Sequence, residues 1–498
     1  VRITAQLIKA DDGYHLWSES FDRKLDDIFA IQSEIAREIA DQLQATLSPR
    51  AIANIDAVPT NSVEAYDYFL QGRAILRGRG GFGDPGVISP AVELLESAVD
   101  EDVDFLQAWV HLLKSYSNLF RTSDGSLKTQ FLNKAQNALA RTKAIDADDP
   151  WTRYAASWYQ YRVEMDYPAA LSELTNGGAL PRLAELMQLE ALISRRMGLM
   201  DRAIKLNEEA LALDSGNVSI WRELAENLYI ARRFKESTQA WTRAVFLEPG
   251  DTHYRMRKFE NDFLDSADVS LVDWLEEDDP ESRELWLLWI QKRKLGDLAL
   301  EIRADKDRLK SYAASPTIPV EPDSMFFLFA LLAEDESELA RTWAGNFLKA
   351  IQTEPSLILN SDDVFLAHPR FAVILETTLL AVIHHLLGDT EQGKALLDRT
   401  REIRDKEKDM WESAWETRPQ LILALQYLDP DEAAEMMIQE LREPISLLSL
   451  DAIAAFHWSF RNLIIHPRIQ PLIVAHENGK WLNYLSERVP EYAEYKKP

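Results

Sequence analysis

The residues that most readily do chemistry are sparse in this chain, and their spacing rules out most catalytic schemes. There is no cysteine among the 498 residues, which excludes disulfides, thiolate nucleophiles and cysteine-ligated zinc or iron–sulfur sites. His384-His385 is the pair that most suggests a metal. Two helical ligands need to share a face, as in HExxH or His-x3-His, and adjacent residues point to different faces. The pair therefore reads as packing or surface histidines. His368-Pro369-Arg370-Phe371 is echoed by His466-Pro467-Arg468-Ile469, and both phrases read as helix starts, because proline suits the first helical position. No GxSxG elbow, complete GxxxxGK[ST] P-loop or GxGxxG after a strand is present. No residue is assigned a catalytic, cofactor-binding or metal-binding role.

Two further features invite a ligand. Gly78-Arg79-Gly80-Gly81-Phe82-Gly83 holds four of the 18 glycines. Its backbone N–H groups, near Arg73, Arg77 and Arg79, have the makings of a phosphate or carboxylate cradle. The plainer reading is a turn-rich loop between two helices. Acidic clusters lie at Asp100-Glu101-Asp102-x-Asp104, Asp146-x-Asp148-Asp149 and Glu276-Glu277-Asp278-Asp279. None has the alternating oxygens, glycine and distal glutamate of a calcium loop, so they read as solvated corners.

The elements that would carry any binding face are helix pairs in a repeat. Trp221-x2-Leu224-Ala225-x2-Leu228 is followed by Trp241-x2-Ala244-x4-Pro249. One unit upstream lies Ala203-x3-Asn207-x2-Ala210, and 244 − 210 gives a period of 34. Ala170-x3-Leu174 precedes Ala203-x3-Asn207 by nearly the same interval, and Trp109-x2-Leu112-x3-Tyr116 opens another pair. That pair's second helix, around Ala135 and Leu139, is expected after a longer loop through Ser123-Asp124-Gly125. Small residues let antiparallel helices approach, large ones fill the neighbour's groove, and proline ends the second helix. This pattern resembles the tetratricopeptide repeat, a helix pair recurring at that period. After about residue 252 the period drifts, although Trp286 to Arg293, Phe347-x2-Ala350-x4-Pro355 and Leu380 to Leu397 still read as helix pairs. Stacked pairs wind into a superhelix whose first helices line the concave face. Counting from each aromatic anchor, Lys114, Asn118, Tyr159, Arg162, Gln188, Arg195, Arg222, Glu226 and Tyr229 are expected to face that groove. Arginine and tyrosine suit peptide recognition, one as a planar donor fork and the other as a rigid amphipathic ring.

The first fifty residues are of another kind. Arg2 to Ile8 alternates polar and apolar residues, Asp11-Asp12-Gly13 signals a turn, and Tyr14 to Phe21 is a second aromatic-rich strand. Asp26 or Asp27 can cap a helix bearing Ile28, Ile31, Ile35, Ile39 and Leu43 on one face, ended by Ser48-Pro49. The run from Val1 to Leu43, with His15-Leu16-Trp17 and Asp26-Asp27-Ile28-Phe29, resembles the end of the TolB-like domain of bacterial multidomain regulators. Ala65 to Gly81 resembles that family's entry into its first repeat, and His466 to Ile469 its closing Asp-Pro-Arg-Phe phrase with His in place of Asp. The resemblance implies a winged-helix DNA-binding or class III adenylate cyclase domain upstream, with neither activity resident here. It also implies a membrane helix between effector and TolB-like domain, which leaves the periplasmic side of the inner membrane and the cytoplasm both open. Val1 stands inside a strand-like run with no Met or signal peptide before it, so a longer N-terminal part is expected.

Composition agrees with a helical array. Glycine is only 18 of 498, and sheet-rich folds need more of it. Hydrophobic residues at 46 % and 14 Trp supply enough apolar surface for cores. Fifty-five Lys+Arg against 82 Asp+Glu give a net charge of −27, which repels nucleic acid and anionic membranes. Phe371 to Gly388, the longest apolar run, contains Glu376, His384 and His385 and falls short of a span. The expected fold is mainly α: a tetratricopeptide-like α-solenoid preceded by a hairpin and helix from an α/β domain. The expected divisions are 1–48 (TolB-like end), 49–61 (linker), 62–250 (regular repeats), 251–440 (degenerate repeats) and 441–498 (helical cap). The leading functional reading is a non-enzymatic scaffold that binds a protein or peptide without cofactor, with a homodimer compatible. The alternatives are the regulatory part of an adenylate cyclase and a small-ligand sensor around Trp274, Trp286 and Trp289.

Overall fold

The computed structural model describes residues 2–8, 15–22, 28–42, 58–77, 85–123, 125–175, 183–266, 337–353, 369–406, 418–442 and 461–476, with positions 482, 485, 492 and 493. The expected glycine-rich loop 78–83, the acidic cluster 276–279, His368 and the Trp274, Trp286 and Trp289 region lie outside them. The chain divides into two compact units, Val1–Leu180 and Pro181–Pro498.

The first unit opens with strands β1 (Arg2–Ile8) and β2 (His15–Asp22), paired antiparallel from Arg2↔Asp22 to Ile8↔His15 with an irregularity at Leu7/Ile8. A two-stranded ribbon is marginal alone, and helix α1 (Ile28–Gln42) lies against β2. Helices α2 (Val63–Arg77) and α3 (Pro85–Glu101) pack as a pair, as do α4 (Leu106–Thr122) and α5 (Gly125–Ile145). In α3, Ala91, Leu95 and Ala98 are fully buried, so the three- and four-residue spacing faces the partner helix. The break between α4 and α5 falls at Ser123 as expected, without the extra loop length expected there. Helix α5 starts at Gly125, three positions after α4 ends, and runs 21 residues. The extra length went into the helix, because Leu127 to Leu139 continues the helical pattern without a breaker. Helix α6 (Pro150–Tyr159) is capped by Asp149, which accepts from the Trp151 N–H at 2.7 Å, with proline in its first turn. A π-helical turn, Gln160–Glu164, follows, and α7 (Tyr167–Thr175) packs back on α6.

The second unit begins with the regular part of the repeat. Helices α8 (Ala184–Arg196), α9 (Met200–Leu213), α10 (Val218–Ile230), α11 (Phe234–Leu247) and α12 (Thr252–Ser266) each pack on the next. Ala203, Ala210, Ala225, Ala244 and Trp241 are fully buried. These are the positions where small residues and one large residue recur at the period of the sequence. The turns show the same period in the backbone. Gly198 (φ 75°) and Arg232 (φ 60°) occupy the left-handed region one full repeat apart, and Met165 (φ 55°) precedes Gly198 by almost the same interval. The following residue's N–H closes each helix end, Leu199 to Ser194 O at 2.8 Å and Arg233 to Leu228 O at 2.8 Å, which is a Schellman cap. A second recurring device anchors first helices. Trp109 Nε1 donates to Val103 O at 2.8 Å and Trp221 Nε1 to Ser215 O at 2.9 Å, six residues back in both cases.

Further along, α13 (Ser337–Thr353), α14 (Pro369–Leu386), α15 (Thr390–Lys406), α16 (Arg418–Leu428), α17 (Pro430–Arg442), α18 (Arg461–Ile464) and α19 (Gln470–Ala475) build a second core. Helices α14 and α15 pair around a left-handed Gly388 (φ 84°), and α16 pairs with α17. Pro369 opens α14 as the His-Pro-Arg phrase predicts, while His466 to Ile469 forms the turn between α18 and α19. The chain is thus mainly α, a tetratricopeptide-like α-solenoid preceded by a hairpin. Among the described residues, no helix is long and apolar enough to cross a membrane.

Candidate partner-binding face

First helices of successive pairs bring the nine groove residues to defined places. In the first unit these helices are α4 and α6. Lys114 Nζ sits 4.8 Å from the ring centroid of Trp158, a cation–π contact. Asn118 is 1 % exposed, and its Oδ1 accepts from Arg162 Nε at 3.1 Å. Tyr159 is buried, and its hydroxyl accepts from Gln136 Nε2 at 3.2 Å. Burial pushes that phenol above its ordinary value. Arg162 stands on the π turn, whose extra residue re-aims side chains at the end of α6. The left-handed Met165 then places its sulfur 3.2 Å from Arg121 Nη1.

In the second unit the first helices are α8, α10 and α12. Gln188 Nε2 donates to Ser219 Oγ at 3.0 Å, linking α8 to α10. Around Arg195 lies a network of charges. Its Nη1 is 2.9 Å from Glu226 Oε2 and 3.2 Å from Glu223 Oε2. Arg222 Nη2 donates to Glu223 Oε1 at 2.7 Å, and its Nη1 is 3.5 Å from Glu226 Oε1. Arg257 on α12 lies over the Tyr229 ring at 5.2 Å and the Trp241 ring at 6.0 Å. Burial works to raise the Glu226 carboxyl, but the guanidiniums of Arg222, Arg195 and Arg257 outweigh it and hold it down at about 2. Burial would lower Arg222, and the charges of Glu223 and Glu226 raise it instead. The Arg222–Glu226 pair therefore stays ionised across the physiological range.

Four of the expected groove residues, Asn118, Tyr159, Gln188 and Arg195, are buried between helices. They tie neighbouring repeats together rather than presenting donors to an outside ligand. Lys114, Arg162, Arg222, Glu226 and Tyr229 are half-buried and reach the surface of the first-helix face. The repeat frame brings Lys114 beside Trp158, Asn118 beside Arg162, and Arg195 between Glu223 and Glu226. Reading by residue type missed Glu223, Gln136, Trp158 and Arg257. Arg257 was findable, because 257 − 222 is 35, one repeat on from Arg222 had the frame been continued past residue 252.

The remaining polar clusters are local chemistry. Asp102 accepts from Thr60 Oγ1 and from the Asp104 N–H, and Asp146 accepts from the Asp148 N–H at 3.0 Å. His384 Nδ1 lies 3.2 Å from Asp389 Oδ2 while His385 is exposed. Among the described residues no three His, Asp or Glu side chains converge on a common point.

The geometry defines a class of chain, a helical repeat with charged first-helix faces, and known proteins place it no more narrowly. No family profile matches the sequence. A Rhizobium meliloti (strain 1021) protein named "Putative adenylate cyclase 3" is 40 % identical over 78 residues, 16 % of this chain, and the chain covers 13 % of that protein's length. Among solved structures, Pseudomonas aeruginosa PilF overlaps 49 % of this chain and 97 % of its own, at 16 % identity and a TM-score of 0.30. Human IFIT1, solved as a dimer with m7Gppp-AAAA, overlaps 74 % of this chain and 76 % of its own, at 13 % identity and a TM-score of 0.32. The TPR domain of P58(IPK) overlaps 80 % of this chain and 98 % of its own, at 13 % identity and a TM-score of 0.19. Overlaps this loose leave fold and function to be read from this chain's own helices.

Proposed function

We propose that the chain is a non-enzymatic interaction scaffold, the sensory or recruiting part of a bacterial regulator, and that it holds a protein or peptide along its first-helix faces. The observation that carries this reading is the row of ionised and aromatic groups on α8, α10 and α12: Arg222, Glu226, Tyr229 and Arg257, locked in place by Arg195 and Glu223. Groups fixed before binding lose little freedom on binding, and planar guanidiniums with rigid rings suit peptide recognition. Lys114 over Trp158 offers a similar cationic and aromatic pair in the first unit. In this reading residues 1–48 are the end of a TolB-like domain, 49–61 its linker, 62–250 and 251–440 the regular and degenerate repeats, and 441–498 the cap.

A peptide-array screen of the full chain, followed by calorimetry of the hits against Lys114→Ala and Arg222→Ala, tests it. Hits that lose affinity about tenfold in one of these variants support the face. Hits that bind both variants unchanged count against it.

A second reading has one observation of its own. The 78-residue match to the Rhizobium meliloti protein supports a regulatory segment attached to a cyclase. Cyclic AMP production by the full-length parent, with and without this segment, decides it. Equal activity in the two sinks the regulatory role.

A further inference from the structure

Arg232 stands where a glycine would be expected. The equivalent turns, one repeat upstream and in the α14–α15 pair, carry Gly198 and Gly388, both with positive φ. A side chain is strained in that region, yet Arg232 adopts φ 60°. Its guanidinium reaches residues more than 200 positions away within the same unit. Nη1 donates to Leu441 O at 3.2 Å and Nη2 to Glu440 O at 3.1 Å. Those carbonyls belong to the last turn of α17, which an α-helix leaves without partners of its own. A cation there also meets the negative end of the helix dipole.

Apolar packing converges on the same place. Phe234, next to this turn, and Leu264 on α12 are buried in the core otherwise formed by residues 340–492. Tyr229 and Phe259, from the first helices α10 and α12, pack against that core too. Tyr229 thus borders both cores, its ring 5.7 Å from that of Phe234, which is itself buried with the later helices. A residue that the repeat frame assigns to the binding face therefore stands at the border of the core that the chain's later helices build.

From this we infer that the helices after residue 337 act as an internal occupant of the α10–α12 end of the binding face, and that Arg232 is the latch that holds them there. The inference rests on the partner-binding reading above. Release of α17 from Arg232 uncovers Tyr229 and Phe259, and a partner at that end of the face competes with the chain's own helices.

The test uses the full chain with Arg232→Gly, Arg232→Ala and Arg232→Lys, read by hydrogen exchange and hydroxyl-radical footprinting. Glycine relieves the strain and removes the guanidinium. Alanine keeps the strain and removes the guanidinium. Both should speed amide exchange over residues 436–442 by about tenfold, the loss of one to two hydrogen bonds to a charged donor. Both should also raise labelling of Tyr229 and Phe259, with lysine in between. Trp241, fully buried in the repeat core, should stay unlabelled. Release by alanine but not by glycine would assign the effect to strain and overturn the latch. Unchanged labelling of Tyr229 in both variants, or Trp241 rising in step with it, would overturn it too. None of these readouts needs a partner, so the latch and the partner-binding reading fail separately.

Discussion

Glu226→Gln removes one carboxylate from the charge network while keeping its shape. The carboxyl is held at about 2 against an ordinary 4.5, which favours the ionised folded form by about 3 kcal/mol. The side chain is 21 % exposed, and contact with water reduces this to about 2 kcal/mol. For a unit of this size the loss lowers Tm by roughly 4 °C. Its dependence on pH identifies the cause. The folded value lies below the unfolded one, so the stabilisation is complete above about pH 5. It is lost as pH falls through 4.5 toward about 2. Calorimetry of wild type and Glu226→Gln should therefore show the full gap in Tm at pH 7 and less than half of it at pH 3. Equal gaps at both values, or none at pH 7, would refute the claim that Glu226 is stabilised by Arg222, Arg195 and Arg257.

Three further substitutions probe the packing that positions the face. Asn207 is fully buried, and neither amide atom has a hydrogen-bond partner, so Asn207→Leu should raise stability by about 1 kcal/mol in thermal melts. Asp149→Ala removes the cap of α6 and should cost about 1 kcal/mol, seen as faster amide exchange at residues 151–153. Ala210 is fully buried at the period position, so Ala210→Leu overpacks the helix contact and should lower stability by about 2 kcal/mol as read by denaturant midpoint.

Much of this architecture is visible in the residues alone. The alternation of Arg2 to Ile8 determines a strand because every second side chain turns to one face. Ala210 and Ala244 reveal the period because close helix approach tolerates little else. What remained hidden is pairing across repeats. Spacing places Arg195 and Arg222 on first helices but does not say that Glu223 and Glu226 stand between them, since that depends on how far α8 and α10 approach. The π turn after Tyr159 is equally silent, because no residue type demands it. The extra loop length expected around Ser123 is missing for a related reason: a glycine at position 125 can begin a helix as readily as end one. Arg232 shows the limit most clearly. Its left-handed backbone follows from the period, yet its partner lies over 200 residues away.

The central claim is that partners meet the first-helix face rather than the outer one. Site-specific photo-crosslinking in the host cell tests it directly, with the reactive residue placed at Arg162 or Arg222 on the face, or at Phe246, which is 73 % exposed. The account predicts a discrete crosslinked partner from the two face positions and none from Phe246. A partner captured from Phe246, with Arg162 and Arg222 silent, would contradict it.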